Sequence, residues 1–227
     1  MSTVTSPSHK LARERFSRKS LADIYPSEYS SRWRDRREKA CIEQCLAAIP
    51  RGSRVLDLPC GTGRMTRILV SRGFNVIGAD VSEAMLEHAR RNYREFQRQQ
   101  GGSAPDVQFE IRDVLNTGFS NDYFQGISCI RLFHHFDEAE TRRTALRELR
   151  RICSGPIVVT FLNSFALDRY SSWLKRKIRG QKQESQLPIP MRVFAADVKA
   201  AGLKIDKRIA AHWGISSRWF LTLSRAA

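Results

Sequence analysis

Three carboxylates recur at one kind of position in this 227-residue sequence. Asp57 lies in an apolar run, Val55 to Leu58, and a glycine turn, Pro59-Cys-Gly-Thr-Gly63, follows at once. Asp80 closes the next apolar run, 23 residues later, and Asp113 follows a third, after a further 33 residues. A single acid in such a place is a cap or turn residue. Three in register, where successive strands deliver their carboxyl ends, make a row of acceptors for the amino and hydroxyl groups of a ligand. The glycines let a backbone approach that ligand closely. A glycine turn alone does not select the ligand, because dinucleotide sites use one too. The turn lacks Gly-Lys-Ser/Thr, which disfavours a nucleoside-triphosphate loop. After a fourth apolar run, Ile130-Arg-Leu-Phe-His-His-Phe136 brings two imidazoles, His134 and His135, that titrate near neutrality. Either is a candidate general base; the alternative is a structural hydrogen bond at the start of the next helix.

Elements must hold these residues in place. A helix is predicted from about Ser30 to Ile49, on the spacing of Trp33, Ala40, Cys41, Cys45, Leu46 and Ala48, and Pro50-Arg51-Gly52 stops it. Strands and helices then alternate. Strand 54–58 leads to helix 64–72, ended by Gly73. Strand 74–79 leads to a helix capped by Ser82 and reaching about Phe96. Strands 107–111 and 126–130 precede a helix that runs to about Ile152, opened by Asp137 with Glu140 as a capping box. Strand 157–162 follows, and the pattern resumes with a helix near 195–201 and strands near 203–209 and 218–223. Such alternation predicts an α/β fold: a doubly wound, Rossmann-like, seven-stranded, mostly parallel sheet with helices on both faces. Ligands then sit outside the carboxyl ends of the strands, where the three acids fall. Residues 1–29 read as a flexible N-terminal tail and 30–227 as a single domain, with a helical insertion at about 164–190.

A ligand that wants this row of acceptors is S-adenosylmethionine, with its ammonium group, ribose diol and adenine amine, and no pyrophosphate to neutralise. Here the sequence resembles the class I S-adenosylmethionine-dependent methyltransferases of the small-molecule type, such as the ubiquinone and menaquinone methyltransferases. The resemblance is specific from about Gly52 to Asn163. It implies S-adenosylmethionine as cofactor, with Asp57, Gly61 and Gly63 around the methionine portion. It implies Asp80 on the ribose hydroxyls, Val81 against the adenine face, and Asp113 with Val114 at the adenine. Pro59 departs from the glycine usual there, and proline fixes φ and removes a donor. The resemblance also puts His135, with His134 beside it, near the sulfonium. No metal is expected: metal-dependent relatives carry acids where this chain has Arg131.

The charge balance bears on the acceptor. Thirty-nine basic against 23 acidic residues give a net charge of +16, which favours anionic partners or reflects only an arginine-rich composition. Residues 165–179 read as an amphipathic helix, with Phe165, Tyr170, Trp173, Leu174 and Ile178 opposite a basic face. That suits a lid, a contact with an anionic membrane surface or a plain docked helix. Nucleic acid is not expected as partner, since Arg131-Leu-Phe-His134 is not the Pro-Pro-aromatic segment of exocyclic-amine methylation. Five cysteines without framework spacing read as reduced thiols. The leading expectation is methyl transfer to a small-molecule or lipid-linked acceptor, at a hydroxyl oxygen, in the cytoplasm or peripherally at the inner membrane face. The alternatives are an RNA methyltransferase or a non-catalytic cofactor-binding, membrane-associated scaffold.

Overall fold

The structure is a computed structural model that describes residues 7–10, 32–163, 189–210 and 218–226. The amphipathic segment 165–179 lies outside the described residues.

The elements are α1 (Arg32–Leu46), β1 (Arg54–Asp57), α2 (Arg64–Ser71), β2 (Asn75–Asp80), α3 (Glu83–Gln99), β3 (Gln108–Ile111), β4 (Gly126–Cys129), a short 3-10 turn (Phe133–His135), α4 (Ala139–Ile152), β5 (Ile157–Leu162), α5 (Met191–Ala200), β6 (Leu203–Ala210) and β7 (Arg218–Arg225). The strands form one seven-stranded sheet in the order β3-β2-β1-β4-β5-β7-β6. The first five pair in parallel, and β7 inserts antiparallel between β5 and β6. Strands in the middle of such a sheet are covered on both faces, and β4 and β5 are buried along their whole length.

Helix packing follows the same logic. The buried face of α2 is Met65, Thr66, Leu69 and Val70; that of α3 is Met85, Leu86, Ala89 and Tyr93. Ser82 caps α3 by accepting from Met85 N at 3.3 Å. Gly73, at φ +82°, ends α2 in the left-handed region. All five cysteines are buried thiols.

Two expectations change. Asp137 does not open α4: the cap position belongs to Glu138, whose side chain makes no capping hydrogen bond to the helix backbone. Glu140 pairs instead with Arg147 at 2.7 Å, and the Glu138 carboxylate is engaged by Ser8. Residues 7–10 were expected within a loose tail. They form one helical turn whose Ser8 and His9 are almost wholly buried, because partners for both wait at the carboxyl edge of the sheet.

Candidate active site

The carboxyl edge of the parallel strands gathers the polar residues. Asp57 and Asp80 are the last residues of neighbouring strands β1 and β2. Asp113 lies two residues past the end of β3, in a turn bridged to Asn116.

The glycine turn between β1 and α2 owes its shape to two left-handed residues. Gly61 has φ +53° and Gly63 φ +80°, and Gly63 is the cap of α2. A Cβ built on Gly61 meets nothing within 4 Å, so space lies open above the turn. At Gly63 a Cβ would press on Ala89 of α3 at 3.3 Å, so this glycine serves packing. The Leu58–Pro59 peptide is cis, and the chain resumes pairing at Cys60, whose N donates to Ala79 O at 2.8 Å.

Asp80 fastens the turn to the end of β2. Its Oδ2 accepts from Gly61 N at 2.9 Å and its Oδ1 from Ser82 N at 3.0 Å. A carboxylate has more acceptor sites than these two, so it can still accept from a ligand over the turn. Burial pushes its pKa up to about 6, against the pull of the Ser82, Gly61 and Val81 amides. Val81 is half-buried beside it.

Asp57 is wholly buried behind the turn. Its Oδ2 accepts from Thr66 Oγ1 of α2 at 2.7 Å, and its Oδ1 has no hydrogen-bond partner. Ser128, its register partner on β4, holds a buried hydroxyl near enough to pull the Asp57 pKa down, as Thr66 does, though short of good hydrogen-bond geometry. Burial above all, with Asp80 nearby, pushes the Asp57 pKa up to about 7. A buried, half-satisfied carboxylate is costly to packing alone and is typical of a polar ligand's surroundings.

The sign of the pH effect follows. Both acids have folded pKa values above the ordinary value near 3.9. Between about pH 4 and 7 the folded state therefore binds more protons, and stability falls as pH rises through that window. Asp57→Asn should flatten this fall. An amide keeps the Thr66 bond and can donate to Ser128 Oγ. We expect the ligand-free variant at pH 8 to gain on the order of 1 kcal/mol, about 2–4 °C in Tm. Thermal scans at pH 5 and pH 8 check it; a Tm below that of the wild type at both values refutes it.

Asp113 is half-buried. Its Oδ1 accepts from Leu115 N at 2.9 Å and lies 3.1 Å from His9 Nε2. Val114 packs in the central core. His9 also sits 5.8 Å, centroid to centroid, from the Phe136 ring. The Ser8 hydroxyl accepts from Asp137 N, and Glu138 accepts from Ser8 N at 3.3 Å. The helical turn 7–10 thus straps Asp113 to the segment after β4. Sequence reasoning missed Ser8 and His9: a His in a polar tail carries no local signal of a partner 104 positions away.

The two histidines lie together in the 3-10 turn after β4, rings 4.1 Å apart. His134 is buried and His135 half-buried. Arg131, just before them, sits at φ +65° with its N donating to Thr160 Oγ1 at 2.7 Å. Its guanidinium meets Glu38 of α1 at 2.7 Å. Glu38 is nearly inaccessible and also pairs with Arg64 at 3.1 Å and Arg218 at 3.2 Å. Burial would raise its pKa, but Arg131, Arg218 and Arg64 outweigh that and hold it low. This hub docks α1 across the carboxyl edge. Glu38 is a lone acid within Arg36-Arg-Glu-Lys39, and nothing local in the sequence marked it.

The site thus offers open space over a glycine turn, flanked by buried acceptors, and the histidine turn follows a neighbouring strand of the same sheet. Its residues fit a ligand that carries cationic and hydroxyl groups.

Residues 55–154 match the family described as "Methyltransferase domain". The putative methyltransferase YqeM of Bacillus subtilis is 31% identical over 109 residues, 46% of this chain and 41% of that one. The 2-phytyl-1,4-naphtoquinone methyltransferase of Thermosynechococcus vestitus is 36% identical over 83 residues, covering 35% and 33%. tRNA methyltransferases are also among the matches. The chain spans less than half the length of these curated relatives. Among solved structures, magnesium protoporphyrin IX methyltransferase of Synechocystis with bound S-adenosylhomocysteine superposes at a TM-score of 0.76, over 96% of this chain and 99% of that one. At 16% identity, this likeness speaks for the fold.

Proposed function

We infer that this chain, whose residues 55–154 form a class I S-adenosylmethionine-dependent methyltransferase domain, transfers a methyl group from S-adenosylmethionine to a small-molecule or lipid-linked acceptor, at a hydroxyl oxygen. The observation that carries this reading is the pairing of open space over Gly61 with a buried Asp80 bonded to that same turn.

The cofactor, when bound, supplies a methyl group already activated on a sulfonium. The protein's part is to bind, orient and exclude water. Gly61 leaves room for the methionine portion, and Asp57 supports the turn from behind through Thr66. Asp80 would accept from the ribose hydroxyls, and Val81 would pack on the adenine face. Asp113, which already meets His9 through Oδ1, would have Oδ2 left to accept from the adenine amine. His135 takes the acceptor's proton on an imidazole nitrogen, with buried His134 behind it.

A small or lipid-linked acceptor is favoured by relatives that act on phytylated naphthoquinone and demethylmenaquinone. An RNA acceptor has the net charge of +16 and the tRNA-methyltransferase relatives behind it. Turnover separates the two: the chain is incubated with labelled S-adenosylmethionine and either an organic-solvent extract or total RNA of the host cell. Label in the organic extract alone supports the proposal; label in RNA alone overturns the acceptor class; cofactor binding without transfer to either leaves a non-catalytic scaffold. Once an acceptor is found, His135→Ala should lower kcat by about 10²–10⁴-fold with the cofactor Kd unchanged. Full activity across pH 6–9 would assign His135 to structure.

A further inference from the structure

α1 and α2 flank an open cleft of about 810 Å³. Arg51 and Phe74 on its wall come just before β1 and β2, at the amino edge of the sheet, while Arg64 at the start of α2 marks its other end. Its charge is one-sided: Lys39, Arg51, Arg64, Arg67 and Arg72 face a single carboxylate, Glu43. Glu43 is taken by Arg72 at 3.5 Å, and Arg64 is turned to Glu38. Lys39 and Arg51 are exposed, and water can satisfy them.

Arg67 is different. It is half-buried, next to Arg64 on the same helix, and among the described residues no carboxylate pairs with it. Burial and the Arg64 charge both lower its pKa, so folding sets a cation where it is disfavoured. A bound anion offsets that cost, and a guanidinium fork fits the oxygens of a phosphate. Apolar lining is interleaved with these charges: Ile68 follows Arg67 on α2, and Phe96 of α3 adds a ring. A concave site of this volume, with basic and apolar groups side by side, matches a small ligand.

We propose that the cleft between α1 and α2 is a second binding site, which takes a small phosphomonoester bearing an aromatic or alkyl body, with Arg67 as its anchoring residue.

Phenyl phosphate, inorganic phosphate and phenol serve as probes in calorimetric titration of the full chain. Phenyl phosphate should bind once per chain and more tightly than inorganic phosphate, with no heat from phenol. Arg67→Gln should weaken it by about tenfold, the loss of one good charge-assisted contact. Arg147→Gln, an exposed arginine on α4 that pairs with Glu140, should leave it unchanged. S-adenosylhomocysteine affinity should be equal in wild type and Arg67→Gln, which keeps this test independent of the cofactor reading. Absence of phenyl phosphate binding overturns the proposal, as does equal weakening by both variants. Arg67-dependent binding of a single-stranded RNA 20-mer without phenyl phosphate binding also overturns it, because the cleft would then track a polynucleotide backbone.

Discussion

Asp197→Ala is expected to lower unfolding stability by about 3–5 kcal/mol, the range for stripping a buried ion pair of one partner. Asp197 on α5 is inaccessible, and its Oδ2 meets Arg142 Nε at 2.7 Å. Its Oδ1 takes Arg143 Nε at 2.8 Å. Arg142 is itself almost inaccessible and donates through Nη1 to Phe136 O at 3.0 Å and Asp137 O at 2.7 Å. The alanine variant leaves a guanidinium buried without its counter-charge. Because the same guanidinium ties down the chain just after the histidine turn, that turn should loosen too. Arg142→Met combined with Asp197→Leu removes both charges and should recover much of the loss. Urea unfolding of both variants beside the wild type decides it; an Asp197→Ala loss under 1 kcal/mol would mean the pair is hydrated in solution.

The second large effect concerns cofactor affinity. Asp80→Ala should weaken binding of S-adenosylmethionine and S-adenosylhomocysteine by about 1.5–3 kcal/mol, the range for hydrogen bonds to a charged group. That is roughly 10- to 150-fold in Kd. Besides any ligand contact, the variant releases Gly61 N and Ser82 N, so the turn over which the ligand would lie loses its anchor. Asp80→Asn keeps one acceptor oxygen and should fall between. Calorimetry with matched circular dichroism separates lost binding from lost fold. Unchanged affinity in a folded Asp80→Ala protein would remove this residue from the site.

Why some of this was legible and some was not has a physical basis. The strand-turn-helix around Asp57, the Ser82 cap and the Gly73 stop are local, written within a few residues of one another, and the sequence pattern predicted each. The row of acids was legible because parallel pairing carries successive strand ends to one edge. Asp137 and Glu140 satisfied a local capping rule, yet Ser8 holds Glu138 and Arg147 holds Glu140. Glu38 and His9 were invisible for the same reason. Each is a polar residue in a polar stretch, and only the folded chain brings its partners, Arg131, Arg218 and Asp113, across more than ninety positions.

The place of β7 has a consequence for biosynthesis. Residues 218–225 fill the slot between β5 and β6, although they are made after both. Until residue 225 clears the ribosome, Ile157–Leu162 holds an apolar strand with one edge bare. A bare edge of that kind invites pairing with another chain. The nascent protein therefore carries its greatest hazard of mispairing between synthesis of β5 and arrival of β7, and the wait lengthens wherever codons between them slow translation.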